Sequence, residues 1–483
     1  MEDNVSDIKR KSLTGFAWRM GEGLIAQGMT FVVGMVLARL LTPTEFGLVA
    51  LSGIFLAIVN VFADCGLGQA LIQKKNTDDL DSNTVFYAGL GIVSVLYLLV
   101  FLTAPLVAEL FKQPPVANLL RVSALTLFLS SYNSVQTAEI SRNLDFKKFF
   151  YVGIVCSGVS GIVGLTMAFK GFGVWALIGQ SMSYSVTKTF MLNRIIRWIP
   201  KLQFSFERFR GLFSYGVNLM TAGVIGMIFN QMKGFLIGLH YQPADLSYYN
   251  RGESMPSILC NNINGTINQI MLPALSKLQD DPLAMKAGIR RSMMLSSYLL
   301  MPMMFGLVAV AKNAIVILFS DKWLMAVPFL QVIAVGYCFS ILSSTNLMAI
   351  NAIGRSDITL KLEFVKKPIF LILLLIGMFI SPLAIAVAVT FNYVLAMLFN
   401  AWPNKMLIHY GLSEQWKDLY PQFLLSIFMC FIIWFVGLLN WNIYILFIIQ
   451  IIVGTTIYVG CSKLLHFEAY YYAKNTLNQL ISK

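Results

Sequence analysis

Charge is what this chain lacks. Only 12% of its 483 residues are Asp, Glu, Lys or Arg, against about 25% in an ordinary soluble domain. Its three histidines, His240, His409 and His466, lie far apart, and its six cysteines never fall into a C-x-x-C spacing. No metal site, acid–base pair or cofactor is implied. Each cysteine sits in or beside an apolar span, where helix packing is the expected role. No cleavable leader is evident, because the polar stretch 1–11 runs straight into a long apolar span. No connection between apolar spans is long enough to fold by itself. That argues against a membrane glycan polymerase or glycosyltransferase, which needs a sizeable outer loop for its catalytic groups, so an enzyme is not expected.

What is present is apolar surface. Hydrophobic residues make up 57% of the chain and the mean hydropathy is +0.71. A spanning helix needs about 20 apolar residues. Fourteen stretches qualify: 13–39, 46–71, 83–110, 117–139, 149–169, 172–194, 211–239, 246–276, 288–318, 324–350, 362–380, 382–404, 420–438 and 441–463. The fold class is therefore an all-α polytopic membrane protein with 14 transmembrane helices. Pro256, Pro302 and Pro328 fall inside spans and are expected to kink them.

The basic residues set the orientation. With the N-terminus inside, the cytoplasmic connections and both termini hold 26 of the 36 Lys and Arg. The opposite side holds Arg39, Lys112, Lys170 and Lys322. This is the positive-inside bias of a multi-pass protein with both termini cytoplasmic. It accounts for the net charge of +13 through bilayer electrostatics, so nucleic acid is not expected as a partner.

The longest connection, IIRWIPKLQFSFERFR, alternates bulky apolar and basic residues. It suits a helix lying on the inner leaflet and joining two halves, or a solvated basic loop. Landmarks recur across those halves. Thr42-Pro43-Thr44-Glu45-Phe46 is matched by Gln242-Pro243-Ala244-Asp245-Leu246, and Asp78-Asp79 by Asp280-Asp281. Ser141-Arg142-Asn143-Leu144-Asp145 is matched by Gly354-Arg355-Ser356-Asp357. The expected organisation is a six-helix lobe over 1–194, a basic amphipathic linker over 195–210, and a related six-helix lobe over 211–404. Two further helices and a tail follow over 405–483.

Several stretches carry a family likeness. Val36-Leu37-Ala38-Arg39-Leu40-Leu41-Thr42-Pro43-Thr44-Glu45-Phe46-Gly47, Phe62-Ala63-Asp64-Cys65-Gly66-Leu67-Gly68 and Tyr248-Tyr249-Asn250-Arg251-Gly252-Glu253 resemble the polysaccharide transporter family of the MOP superfamily. That family comprises the flippases of lipid-linked oligosaccharide repeat units, and the chain is most similar to its colanic-acid and teichuronic-acid exporter branch. The resemblance spans essentially the whole chain. It implies two six-helix lobes around a central cavity, with the last two helices flanking a groove for a lipid tail. It also implies a bacterial cytoplasmic membrane, an undecaprenyl-pyrophosphate-linked glycan as cargo, and polysaccharide polymerase or export machinery as a partner.

Six cations lie inside spans: Arg19, Arg121, Lys188, Lys233, Arg251 and Lys312. Each costs roughly 2.5–3.5 kcal/mol at a helix centre on insertion scales, so each needs a reason. An anionic diphosphate crossing the bilayer is one. Arg251, Asn262 and Gln269 share one face of an ideal helix, giving a cationic, amide-lined stripe. Arg251 has a structural alternative in a pair with Glu253. Arg19 joins the candidate site, with an ion pair to Glu22 as its alternative. Lys188 and Lys233 complete the candidate cations, while Arg121 and Lys312 sit where snorkelling explains them. Asp64, Glu22 and Glu253 are candidate coupling or gating acids. Asn60, Asn133 and Gln136 are placed to hydrogen-bond sugar or to join helices. A multidrug cation antiporter of the same superfamily is the alternative function. It would favour acids over bases in the spans, whereas here bases outnumber acids.

Overall fold

The computed structural model describes residues 21, 23, 25–143, 145–276, 278–279 and 281–481, and every regular element among them is helical. The helices are α1 (Ile25–Leu40), α2 (Pro43–Asp64), α3 (Leu67–Gln73), α4 (Asp79–Leu110), α5 (Pro115–Ser123), α6 (Thr126–Arg142), α7 (Phe146–Phe169), α8 (Val174–Ile196) and α9 (Phe206–His240). They continue with α10 (Pro243–Ser276), α11 (Pro282–Phe319), a 3-10 turn (Asp321–Ala326), α12 (Val327–Ala352), α13 (Ser356–Met378), α14 (Pro382–Leu407), α15 (Leu412–Val436), α16 (Ile443–Leu464) and α17 (Glu468–Ile481). Among the described residues, nine helical stretches are long and apolar enough to cross a membrane.

The recurring landmarks are helix starts. Thr42 caps α2 through a reciprocal box, its side chain accepting from the Glu45 amide while Glu45 accepts from the Thr42 amide at 2.7 Å. Asp245 accepts from the Gln242 amide at 3.1 Å in the same way. Asp78 caps α4, and Asp281 caps α11 by accepting from the amides of Leu283 and Ala284. Such caps satisfy amides that have no partner inside the helix. Pro328 lies in the first turn of α12, where its missing N–H costs nothing; it starts a helix rather than kinking one. Pro302 does lie inside α11. All six cysteines are free and at least partly buried.

By packing, the chain forms two compact units, Met1–Ser247 and Tyr248–Lys483. In the first, α2 packs on α9, α7 on α8, and α4 on α5 and α6. Close backbone approach depends on missing side chains: a Cβ on Gly47 would lie 1.9 Å from the Pro243 carbonyl oxygen, and one on Gly216 would lie 2.3 Å from that of Cys65. The fully buried Asp81 carboxylate joins α4 to α3 and α9, accepting from Lys74 at 2.7 Å and Arg208 at 2.9 Å. Asp78, beside it, is held below the usual carboxylate range by the Asp81 amide it caps and by Arg208.

The linker is not a helix. Residues 197–205 carry no regular element, and two of their amides find partners on α4. The Lys201 amide donates to Asn83 Oδ1 at 3.0 Å and the Ser205 amide to Thr84 Oγ1 at 3.2 Å, while the Lys201 ammonium pairs with Asp79 at 2.8 Å.

In the second unit, α12 packs on α14, and α11 packs on α12 and α15. Buried amides join them: Asn404 donates to Asn346 Oδ1 at 2.7 Å, Gln415 donates to the same oxygen at 2.8 Å, and Asn400 donates to Ser343 at 2.9 Å. Lys366 looks cytoplasmic in the sequence, yet it is buried in α13, donating to Asn400 Oδ1 at 3.0 Å and pairing with Glu363 at 2.6 Å. Arg290 on α11 holds Asp418 of α15 at 2.9 Å and Glu468 of α17 at 2.8 Å.

Candidate functional site

In the first unit, helix α2 stops at Asp64 because the next two residues are left-handed, Cys65 at φ 45° and Gly66 at φ 63°. The chain then resumes as α3. The interruption lets α9 approach at Gly216, and Asp64 is left exposed on one side of a cavity of about 430 Å³. Gln69 of α3 lines it, with Ser130, Asn133, Ser134 and Thr137 of α6 and Tyr184, Ser185 and Lys188 of α8. On α6 these residues follow helical spacing, so a polar stripe faces the cavity. Ser130 and Ser134 donate to carbonyls of their own helix at 2.9 and 2.8 Å, which leaves lone pairs able to accept. Asn133 is 4% exposed, and its Oδ1 has no hydrogen-bond partner. The cavity thus offers one cation, one carboxylate, amides and hydroxyls within a membrane-spanning unit. Such a lining can hold a phosphate and many hydroxyl groups without sending either through hydrocarbon.

Of the sequence candidates, the structure brings Lys188 and Asp64 into this cavity, together with Asn133. Lys233, Arg251, Glu253 and Asn262 are not among its described lining residues. Lys233 is half-buried on α9. In the second unit, the Arg251 guanidinium stacks 4.5 Å from the Phe319 ring and 4.8 Å from the Trp323 ring, both fully buried. Glu253 accepts from the Tyr337 hydroxyl at 3.4 Å. Helix α10 is continuous, so Arg251 and Asn262 keep their helical register and Asn262 is exposed. The side chain of Gln269, together with Arg19 and Glu22, lies outside the described residues. Arg121 donates to the Phe101 carbonyl at 3.2 Å and stacks on its ring at 4.4 Å. The sequence reading missed Gln69, Ser130, Ser134, Thr137, Tyr184 and Ser185. For Ser130, Ser134 and Thr137 the signal was a polar stripe at i, i+3, i+4 and i+7 that includes Asn133; Gln69, Tyr184 and Ser185 lie on other helices and carry no such signal.

The second unit carries an apolar groove of about 440 Å³ between α11 and the pair α15 and α16, lined by Leu299, Met303, Gly306, Met429, Ile451 and Gly454 among others. Gly454, buried in α16, lets the Ile433 side chain of α15 pack close against it.

Known proteins place the chain. It is 25% identical over 331 residues to the succinoglycan biosynthesis transport protein ExoT of Rhizobium meliloti, covering 68% of this chain and 67% of that one. It is 22% identical over 433 residues to the lipopolysaccharide biosynthesis protein WzxC of Escherichia coli, covering 88% and 85%. Its fold matches the lipid II flippase MurJ in an inward closed conformation at a TM-score of 0.72, with 17% identity over 94% of this chain and 99% of that one. The profile of a family described as polysaccharide biosynthesis protein matches residues 36–328, more than half of the chain, and this multi-pass membrane protein belongs to that family.

Proposed function

We propose that this protein is a flippase that moves an undecaprenyl-pyrophosphate-linked oligosaccharide from the inner to the outer leaflet of a bacterial cytoplasmic membrane, both termini facing the cytoplasm. The observation that carries the reading is the polar cavity holding Lys188 beside Asp64 and Asn133. Such a cargo has an anionic diphosphate, a hydroxyl-rich head and a long apolar tail. The Lys188 ammonium engages the diphosphate, the hydroxyls and amides of α6 take the sugar, and the groove beside α15 and α16 takes the tail. Alternating access of two lobes then exposes the head to one side at a time. The names of the relatives, a transport protein and a lipopolysaccharide biosynthesis protein, support the same class.

Export of lipid-linked glycan by a null strain carrying wild type or Lys188→Ala, at matched membrane levels, tests the reading. A charge-assisted hydrogen bond is worth about 1.5–3 kcal/mol, so export falls about ten- to hundredfold, with cargo accumulating in the cytoplasmic leaflet. Wild-type export by Lys188→Ala would remove the site assignment. A null strain with normal export and altered drug-cation efflux would favour the antiporter instead.

A further inference from the structure

We propose that the cavity beneath the 197–205 strap binds the headgroup of an anionic inner-leaflet phospholipid. This rests on the orientation in which the strap is cytoplasmic. The cavity, about 670 Å³, belongs to the first unit and is distinct from the Lys188 cavity. Arg142, Arg197, Lys201, Asn83 and Trp198 line it. Asp78 and Asp79 line it too, but they are engaged by Arg208 at 2.7 Å and Lys201 at 2.8 Å. Glu139, also on the wall, is exposed.

Two independent observations point to an anionic, lipidic occupant. Asn83 is 1% exposed; its Oδ1 accepts from the Lys201 amide, yet its Nδ2 has no hydrogen-bond partner. A buried donor left unmade is costly, and a phosphate oxygen would satisfy it alongside the guanidinium groups. The strap turns the amides of Lys201 and Ser205 inward onto α4 and leaves large apolar side chains exposed, as does the first residue of α9. Ile199 is 75% exposed, Leu202 92% and Phe206 69%. Exposed large apolar side chains interleaved with exposed basic ones fit the boundary between headgroups and acyl chains. Exposed Arg194, Arg197 and Arg210 flank these residues, as anionic lipid requires.

The test uses full-length protein in phosphatidylethanolamine nanodiscs containing an equal, minor fraction of brominated phosphatidylglycerol or brominated phosphatidylethanolamine. Bromine quenches nearby indoles, and subtracting the signal of Trp198→Phe isolates Trp198 from the other tryptophans. The brominated phosphatidylglycerol is expected to quench Trp198 more strongly. Each of Arg142→Gln and Arg197→Gln is expected to weaken that preference about fivefold, as loss of one basic contact implies. Asn83→Asp keeps the acceptor for Lys201 but replaces the orphan donor with a charge, and it is expected to abolish the preference. Equal quenching by the two lipids in wild type, or a preference that survives these substitutions, would overturn the proposal. Displacement of the phosphatidylglycerol by undecaprenyl diphosphate would reassign the cavity to the cargo. Labelling of Gln203→Cys by an impermeant maleimide from outside intact cells would overturn the orientation on its own, without touching the flippase reading.

Discussion

A cation inside an apolar span is tolerated if it pairs, stacks or faces a polar cavity. This chain uses all three. Lys366 pairs with Glu363, Arg251 stacks between Phe319 and Trp323, and Lys188 faces a cavity. Lys366 has its partner three residues away on the same helix, but Arg251 and Lys188 are indistinguishable in the sequence, because the rings and cavity walls that separate them lie on helices remote in the chain. Arg251 and Lys188 therefore respond differently to substitution. A planar guanidinium lies flat on two rings, whereas an ammonium is a strongly hydrated point charge. Arg251→Lys is expected to lower thermal stability in detergent by about 1–2 kcal/mol, the worth of a desolvated cation–π contact, and Arg251→Ala at least as much. Lys188→Ala is expected to impair export. Equal stability of wild type and Arg251→Lys would show that the aromatic corner does not hold the arginine. The polar stripe of α6 was legible in the sequence as helical spacing. The orphan Oδ1 of Asn133 was not, since only the folded neighbours reveal an acceptor without a donor.

At the scale of elements, hydropathy locates helices well but says little about how their ends are tied. The capping residues Thr42, Asp78 and Asp281 could be read directly, since a Thr, Asp or Asn before an apolar run has a local reason to be there. The strap at 197–205 could not. Its alternation of bulky and basic residues suits an amphipathic helix, and the competing partners, Asn83 and Thr84, lie more than a hundred residues earlier. The docking of α17 is equally non-local, through Arg290 bridging Asp418 and Glu468. This bridge should be sensitive to acid. Glu468 is held below its ordinary value first by the hydrogen bond from Arg290 and then by that from Tyr472. A carboxyl whose value is depressed in the folded state contributes stability above its unfolded value, and that stability is lost as pH falls through the folded one. The loss therefore begins below the ordinary glutamate value of about 4.3. Hydrogen exchange of the α17 amides, corrected for intrinsic rates, is expected to accelerate at pH 4 relative to pH 7. Arg290→Ala should produce the accelerated rate already at pH 7. Identical protection in Arg290→Ala and wild type at pH 7 would show that α17 is held by other contacts.

Across the whole molecule, the proposed cargo contacts fall in both units: polar groups around Lys188 in the first and an apolar groove beside α15 and α16 in the second. The family likeness implied a tail groove beside the last two helices, but composition could not, because the groove's residues look like those of any lipid-facing helix. A cargo held at both places should lose affinity differently when each is damaged. Thr455 lines the groove and is exposed, so Thr455→Trp fills the space without burying a new polar group. A tail of many methylene-sized units gains about 0.8 kcal/mol for each one buried, so losing even two costs roughly tenfold in affinity. Thr455→Trp is therefore expected to weaken binding of a full-length polyprenyl-diphosphate sugar about tenfold or more, while leaving a water-soluble short-tailed analogue unaffected. Lys188→Ala is expected to weaken both ligands alike, because both carry the diphosphate. Tryptophan-fluorescence or calorimetric titration of the purified protein reads both constants. Equal weakening of the long and short ligands by Thr455→Trp would mean that the groove does not hold the tail and that the substitution acts through the fold. If Thr455→Trp were silent toward both, the tail would stay in the bilayer throughout, and the groove would be an ordinary lipid-facing surface.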